Sequence, residues 1–460
     1  MIARLGSALC RVFEKTAPDP FVIAIALTLL TMLLALTLGY EGAEGVSSKA
    51  GAMIDSWRGP KGLWAFLGFG MQMSLILVTG HALAESRPIK SVIHALSSIP
   101  NRAPSAAALV SVGAILAGLL NWGLGLIVGA LLAREMARAL RAKGIRAHGA
   151  LLAAAGYTGL LVWHGGMSGS SPLVMSNARD MARVLPAELI EQHSITPVPL
   201  SDTLFSPMNL FVCLGLLVIV PITFMLLTPK HDDEIVPMPM SDDPEPEPIA
   251  RATTFPEWID RSPIVVWALA LLLVGAFVRF ATIDGFMTLG PNEVNVAMLA
   301  LGLVFHGSIR SYLNAAEDGA KGCAGIILQF PLYAGIMGIA VSSGLVDDFS
   351  TWISSFANET TAPLFTFCSA AVVNLFVPSG GGQWGIQGPI ALQTGAESGV
   401  APAKMIMSVA YGDQLTNMLQ PFWALPLLAI TKVKAREIVG YTCVVMVVAM
   451  IWMGIALLVF

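Results

Sequence analysis

NLFVPSGGGQWGIQGP, Asn374 to Pro389, stands in the middle of an apolar stretch running from Thr361 to Ser398. Proline, serine and three successive glycines, Pro378 to Gly382, break any helix there, while the flanks stay apolar enough for a bilayer. At 1.5 Å per residue an arm of about 15 residues reaches roughly 22 Å, short of a hydrocarbon core of roughly 30 Å. The stretch therefore reads as a re-entrant hairpin. Unpaired backbone at membrane depth persists only where protein, ions, substrate or water satisfy it, so the tip of such a hairpin marks a cavity.

Working outward, Ala103 to Lys143 repeats the plan in two arms of about 16 to 20 residues around Asn121-Trp122-Gly123. Each hairpin is followed by another broken run. His148 to Asn177 is interrupted from Trp163 to Ser171, and Ala401 to Thr431 from Asp413 to Pro421, so each reads as a discontinuous helix. Simple spans read at Pro20 to Gly39, Leu63 to Leu83, Phe205 to Leu227, Pro263 to Thr282, Val294 to Phe305, Gly322 to Leu345 and Ile438 to Phe460. The fold expected is an all-α integral membrane protein of two inverted repeats. Each repeat has a re-entrant helical hairpin and a discontinuous transmembrane helix, giving about nine full spans plus two hairpins, with a site near the midplane. Asn121 and Asn374, and Gly156-Tyr157 and Tyr411-Gly412, are the clearest echoes between the repeats.

The division expected is residues 1–228 as the N-terminal membrane repeat, 229–261 as an acidic, Pro-rich cytoplasmic linker, and 262–460 as a linking span followed by the C-terminal repeat. Four crossings before the linker plus the span at Pro263 make five, so the second repeat starts on the opposite side. A cytoplasmic N-terminus puts Arg4, Arg11, Lys15, Arg87, Lys90, Arg102, Arg134, Arg138, Arg141, Lys143, Arg146, Lys432, Lys434 and Arg436 inside, as the positive-inside rule requires. The location expected is the cell inner (plasma) membrane, with several passes. Met1 to Asp19 lacks an apolar h-region and cleavage site, so a cleaved signal peptide is not expected.

Composition agrees. Hydrophobic residues make up 55% of the 460 positions and charged residues 12%, about half the roughly 25% usual in soluble domains. A net charge of -4 without a basic patch argues against a nucleic-acid partner. Cys10, Cys213, Cys323, Cys368 and Cys443 form no C-x-x-C pair, and neither disulfides nor a metal are expected. No H-E-x-x-H and no nucleophile beside a base appears, which argues against an enzyme.

Half-helices that start at a break point free N–H donors and partial positive charge at it, which suits a carboxylate without a basic side chain. None of the breaks contains Lys or Arg. Candidate substrate-binding residues are Asn121, Ser168, Ser170, Ser171, Asn374, Ser379, Gly380, Gly381, Gly382, Gln383, Gln387, Thr416, Asn417 and Gln420, with Ser379 and its glycines foremost. Ser and Thr in such breaks can equally bond their own backbone. His164 and Asp413 are the ionisable residues inside the breaks and the candidates for a coupling proton. Their plainer roles are a neutral core histidine and a helix cap. His81 and Glu85 read as interface residues. Moving one negative charge inward costs about 2.3 kcal/mol per 100 mV, which one cotransported cation removes, so coupled uptake with H⁺ or Na⁺ is expected and no cofactor is.

PDPF at Pro18 to Phe21, GMQMSLILVTGHALA at Gly70 to Ala84, VWHGGMSGSSPL at Val162 to Leu173, NLFVPSGGGQWGIQGP at Asn374 to Pro389 and YGDQLTNMLQPFWALP at Tyr411 to Pro426 resemble the short-chain fatty acid transporter family. The resemblance spans the chain outside the acidic linker, with departures at Met167 and Gly385. It implies uptake of monocarboxylates such as butyrate or acetoacetate, a fold similar to the ion-transporter superfamily, elevator-type motion and a homodimer in the lipid bilayer. A dicarboxylate carrier is the nearest alternative, but a second carboxylate favours basic residues that the breaks lack.

Overall fold

A computed structural model describes residues 12, 18–176, 178–185, 187–231, 234–239, 254–285 and 291–460. Arg4, Cys10, Arg11, Lys15, Asn177 and, in the expected linker, residues 232, 233 and 240–253 lie outside them. Among the described residues every regular element is helical.

The chain opens with α1, Pro20–Thr37, which starts where Asp19 accepts the Phe21 N–H at 2.9 Å and Pro20 takes the first helical position. It continues through α2, Gly45–Arg58, α3, Leu67–Glu85, and α4, Arg87–Ser98. The first hairpin is α5, Ala103–Leu120, and α6, Trp122–Ala142. The first broken helix is α7, Gly149–Tyr157, then two short 3-10 turns, Thr158–Leu161 and Trp163–Gly165, then α8, Ser170–Met175. Short helices α9, Ala178–Val184, and α10, Ala187–Gln192, lead to α11, Pro207–Leu227.

The expected linker ends in a short helix, α12, Phe255–Arg261, and beyond it come α13, Pro263–Phe280, α14, Pro291–His306, α15, Ile309–Ala320, α16, Ala324–Ser342, and α17, Leu345–Ser354. The second hairpin is α18, Ala362–Asn374, and α19, Gly380–Ser398. The second broken helix is α20, Pro402–Thr416, a 3-10 turn at Asn417–Leu419, and α21, Pro421–Thr431. The chain closes with α22, Ala435–Val459.

Among the described residues seven helices are long and apolar enough to cross a membrane: α1, α3, α5, α11, α13 with its extension to Ile283, α16 and α22. Six of them coincide with simple spans read in the sequence. The seventh, α5, is a hairpin arm, and this corrects the short-arm argument. At 1.5 Å per residue α5, α6 and α19 are about 27, 31 and 28 Å long, and only α18 is short, at about 20 Å. Length alone therefore does not mark these elements as re-entrant; what sets them apart from the simple spans is the breaks at Asn121 and at 375–379.

Position within the bundle follows from burial. Only 11% of the apolar window of α13 is buried and Leu271 and Leu272 stand exposed, so this helix is peripheral; α16, at 56%, lies inside. The hairpins and broken helices form the interior. Arm α5 packs on α6 and on α7, and α18 and α19 pack on α20. Close approach relies on glycine: Gly129 of α6 and Gly156 of α7 face each other so tightly that a Cβ on either collides with the other's carbonyl oxygen. The amphipathic helices α2, α4, α15 and α17 connect the apolar ones, and α1 packs on α16 at the edge.

Candidate functional site

The glycine-rich tip of the second hairpin starts α19. Ser379 caps it, its hydroxyl oxygen accepting from the Gly382 N–H at 3.2 Å. The N–H groups of Gly380 and Gly381 belong to the first turn and have no acceptor within the helix, and among the described residues neither finds one outside it. Gly380 lies against the first broken helix: a Cβ there would stand 2.6 Å from Nε2 of His164 and 2.7 Å from the ring of Trp163. Gly381 and Gly385, one turn apart on the same face, have nothing within 4 Å of where a Cβ would be.

The matching start of α6 is closed. Asn121 Oδ1 accepts from Gly123 and Leu124 at 2.9 and 3.2 Å, and Ser168 Oγ accepts from the Trp122 N–H at 3.0 Å. Asn121 Oδ1 and Ser168 Oγ thus serve the protein's own backbone, and among the described residues the tip of the second hairpin, unlike that of the first, presents unclaimed N–H donors.

His164 and Asp413 meet at the contact between the two breaks. Nε2 of His164 is 3.2 Å from Oδ1 of Asp413, with the side chains 1% and 3% exposed. His164 Nδ1 and Asp413 Oδ2 are buried without a hydrogen-bond partner. Gln414, next to Asp413, accepts the His164 N–H at 3.0 Å through Oε1 and leaves its Nε2 buried and without a hydrogen-bond partner. The structure corrects the expected break here: Asp413 to Thr416 lie in the last turn of α20, and the interruption is confined to 417–420. The helix continues because Asn374 Nδ2 donates to Asp413 O at 2.7 Å and Thr416 Oγ1 donates to Ala371 O at 2.8 Å, holding that turn against α18. The first broken helix departs from expectation in the other direction, leaving α geometry already at Thr158, whose hydroxyl bonds back to Ala155 O at 2.7 Å.

Asn374, Thr416, Asn417 and Gln420 form one polar seam. Asn374 Nδ2 also reaches Thr416 Oγ1 and Asn417 Oδ1, both at 3.0 Å, and Gln420 Nε2 donates to Asn374 O. The seam is braced from the first half: Tyr157 Oη donates to Asn417 O at 2.9 Å and Gln420 O at 3.1 Å. The first break is braced reciprocally, since Tyr411 Oη donates to Asn209 Oδ1 at 3.0 Å and Asn209 Nδ2 donates to Gly165 O at 2.9 Å. Each tyrosine of the paired echoes thus secures the other half's interruption.

The remaining candidates separate. Gln383 and Gln387 sit inside the second hairpin, Gln383 donating to Ala370 O and Gln387 Oε1 at 2.8 Å, and Gln387 to Ser369 Oγ at 2.9 Å; they hold its arms together. Ser170 begins α8, half-buried, and Ser171 Oγ is buried without a hydrogen-bond partner. Sequence reasoning missed Gln414, Tyr157, Tyr411 and Asn209 as site residues. The signal for Asn209 was a lone amide in the apolar run of α11. Among the described residues no cluster of three metal-ligating side chains occurs.

The sequence model of the short chain fatty acid transporter family matches residues 1–460. This chain belongs to that family. It is a multi-pass membrane transporter and not an enzyme. A protein of Escherichia coli (strain K12) named "Putative short-chain fatty acid transporter" is 36% identical over 444 residues, 96% of each chain. A protein of the same name from Haemophilus influenzae is 35% identical, again over 96% of each chain. Among solved structures, the YdaH transporter of Alcanivorax borkumensis aligns over 96% of this chain and 97% of its own at 17% identity and a TM-score of 0.41. MtrF of Neisseria gonorrhoeae, described within a class of antimetabolite efflux pumps, aligns over 97% of both chains at 16% identity and 0.39. Likeness at those scores carries no argument.

Proposed function

We propose that this transporter takes up short-chain fatty acids such as butyrate and acetoacetate by symport with a cation, H⁺ or Na⁺. The observation that carries the reading is the pair of unclaimed N–H groups at Gly380 and Gly381, on a helix N-terminus that no Lys or Arg approaches in sequence. Those donors and the dipole of α19 hold a carboxylate's two oxygens. The open face from Gly381 to Gly385 extends about 6 Å along the helix, the reach of a short alkyl chain. A site without a fixed cation suits one carboxylate and not two. The names of both relatives support the same substrate class.

His164 and Asp413 carry the coupling charge beside that carboxylate. The division into 1–228, 229–261 and 262–460, the inverted relation of the two repeats, an elevator-type movement of the hairpins, a homodimer, and a cytoplasmic N-terminus in the cell inner membrane complete the reading. The reciprocal bracing by Tyr157 and Tyr411 supports paired halves. The test is labelled butyrate uptake by the purified chain in liposomes under imposed pH or Na⁺ gradients. Saturable, gradient-driven uptake is expected; its absence under both gradients overturns the substrate assignment.

A further inference from the structure

Two cavities lie where α1 and α22 both begin. The larger, about 350 Å³, is bounded by Asp19, Gln329, Leu428, Lys434 and Arg436 among others. The smaller, about 30 Å³ and room for a water or two, is bounded by Tyr157, Gln420 and again Arg436. Arg436 lines both cavities, and the smaller also touches Gln420 of the polar seam.

The walls are chemically specific. Gln329 and Gln420 are each 5% exposed, and Oε1 of each is buried without a hydrogen-bond partner. Buried amides without partners are costly, and here one lines each cavity. Among the described lining residues Lys434 and Arg436 share the larger cavity with a single carboxylate, Asp19, which already accepts the Phe21 N–H at the start of α1. Glu437 is likewise engaged, taking the Lys434 N–H at 3.0 Å. The larger cavity is thus net positive, with Leu425, Leu428 and Val433 as its apolar wall.

We infer that the larger cavity is a second binding site for a short-chain carboxylate, a waiting position between the membrane face and the seam at Gln420. The inference rests on the reading of the chain as a monocarboxylate carrier. A guanidinium fork matches a carboxylate in a bidentate way, an ammonium adds a point charge, and the leucines accept the alkyl chain, while the unpartnered Gln329 Oε1, an acceptor, calls for water and not for the anion. Positive charge at a mouth raises the local concentration of an anion, and screening by salt weakens it. The two sites divide the chemistry: full charges where water is near, backbone dipoles where it is not.

The experiment is butyrate uptake and efflux in proteoliposomes, comparing wild type with Lys434→Gln plus Arg436→Gln. From the face bearing these residues, the double variant is expected to raise KM about tenfold at unchanged maximal rate and to lose the wild type's dependence of KM on ionic strength. From the opposite face KM stays as in wild type. Arg436→Lys, which keeps the charge and loses the fork, falls between. A second readout needs no variant: butyrate slows modification of Arg436 by phenylglyoxal in the wild type. Wild-type saturable uptake with unaltered KM and salt dependence in the double variant overturns this inference alone. So does a KM effect that vanishes in vesicles of neutral phosphatidylcholine, which assigns the cavity to an anionic lipid headgroup. No saturable uptake in the wild type overturns the parent reading instead.

Discussion

Nε2 of His164 lies 3.2 Å from Oδ1 of Asp413, joining residues from opposite sides of the acidic linker at the point where the two interrupted helices touch. Both side chains are buried, so removing one leaves the other without its neighbour in a site that water does not reach. Beside it stands Gly380, whose N–H, together with that of Gly381, is the proposed carboxylate contact. His164→Gln and Asp413→Asn keep the size of each side chain and remove its titration. Each is expected to cut gradient-driven butyrate accumulation more than tenfold while counterflow exchange between loaded liposomes persists. Wild-type accumulation in both variants removes the pair from coupling.

Gly380 and Gly381 are neighbours with opposite surroundings, and substitution by alanine separates them. At Gly380 the new methyl meets the His164 ring at 2.6 Å and the Trp163 ring at 2.7 Å, two buried aromatic groups with little room to withdraw. At Gly381 it meets nothing within 4 Å. Gly380→Ala is expected to abolish uptake, and Gly381→Ala to leave protein yield and thermal midpoint unchanged while raising KM severalfold, because the methyl narrows the open face. Uptake kinetics and thermal unfolding in detergent check both. Equal behaviour of the two variants contradicts the assignment of that face.

The broken elements were legible in the sequence because glycine, proline and polar side chains stand out in hydrocarbon, and WHGGMSGSS and PSGGGQ do so at Trp163 and Pro378. The break boundaries were not. Whether Asp413 is helical depends on Asn374, some 40 residues earlier, donating to its carbonyl, and a local pattern carries no trace of that bond. The seam itself was half legible: Asn374, Thr416, Asn417 and Gln420 were picked as ligands for a substrate, whereas their hydrogen bonds go chiefly to one another and to Tyr157. Tyrosine in an apolar run has an ordinary packing role, so only three-dimensional proximity distinguishes Tyr157 and Tyr411.

Asn374 is the node of the seam and its loss is structural before it is functional. Its Nδ2 donates to Asp413 O, Thr416 Oγ1 and Asn417 Oδ1, and its carbonyl accepts from Gln420. Removing the amide leaves buried acceptors unmatched, at about 1–3 kcal/mol for the group. Asn374→Ala is expected to lower the thermal midpoint in detergent by several degrees. Asn374→Asp retains the shape, replaces the donor by an acceptor facing three oxygens, and is expected to be the more damaging of the two. A thermal scan in which the aspartate variant matches wild type contradicts the network.

The first residues of the expected linker, after α11, return to the start of α7. Val236 donates its N–H to His148 Nδ1 at 3.0 Å and accepts from the Gly149 N–H at 2.8 Å, and Met238 is 4% exposed against Gly149. One of these two bonds runs through a side chain, so it can be removed without touching the backbone. His148→Ala is expected to weaken the attachment by about 1 kcal/mol, roughly a fivefold rise in hydrogen exchange at Val236. The Gly149 bond and the packing of Met238 hold the segment in place, so butyrate uptake stays within about twofold. Exchange measured by mass spectrometry on peptides covering 234–239 checks the local effect, and an unchanged rate there means that His148 does not anchor the segment.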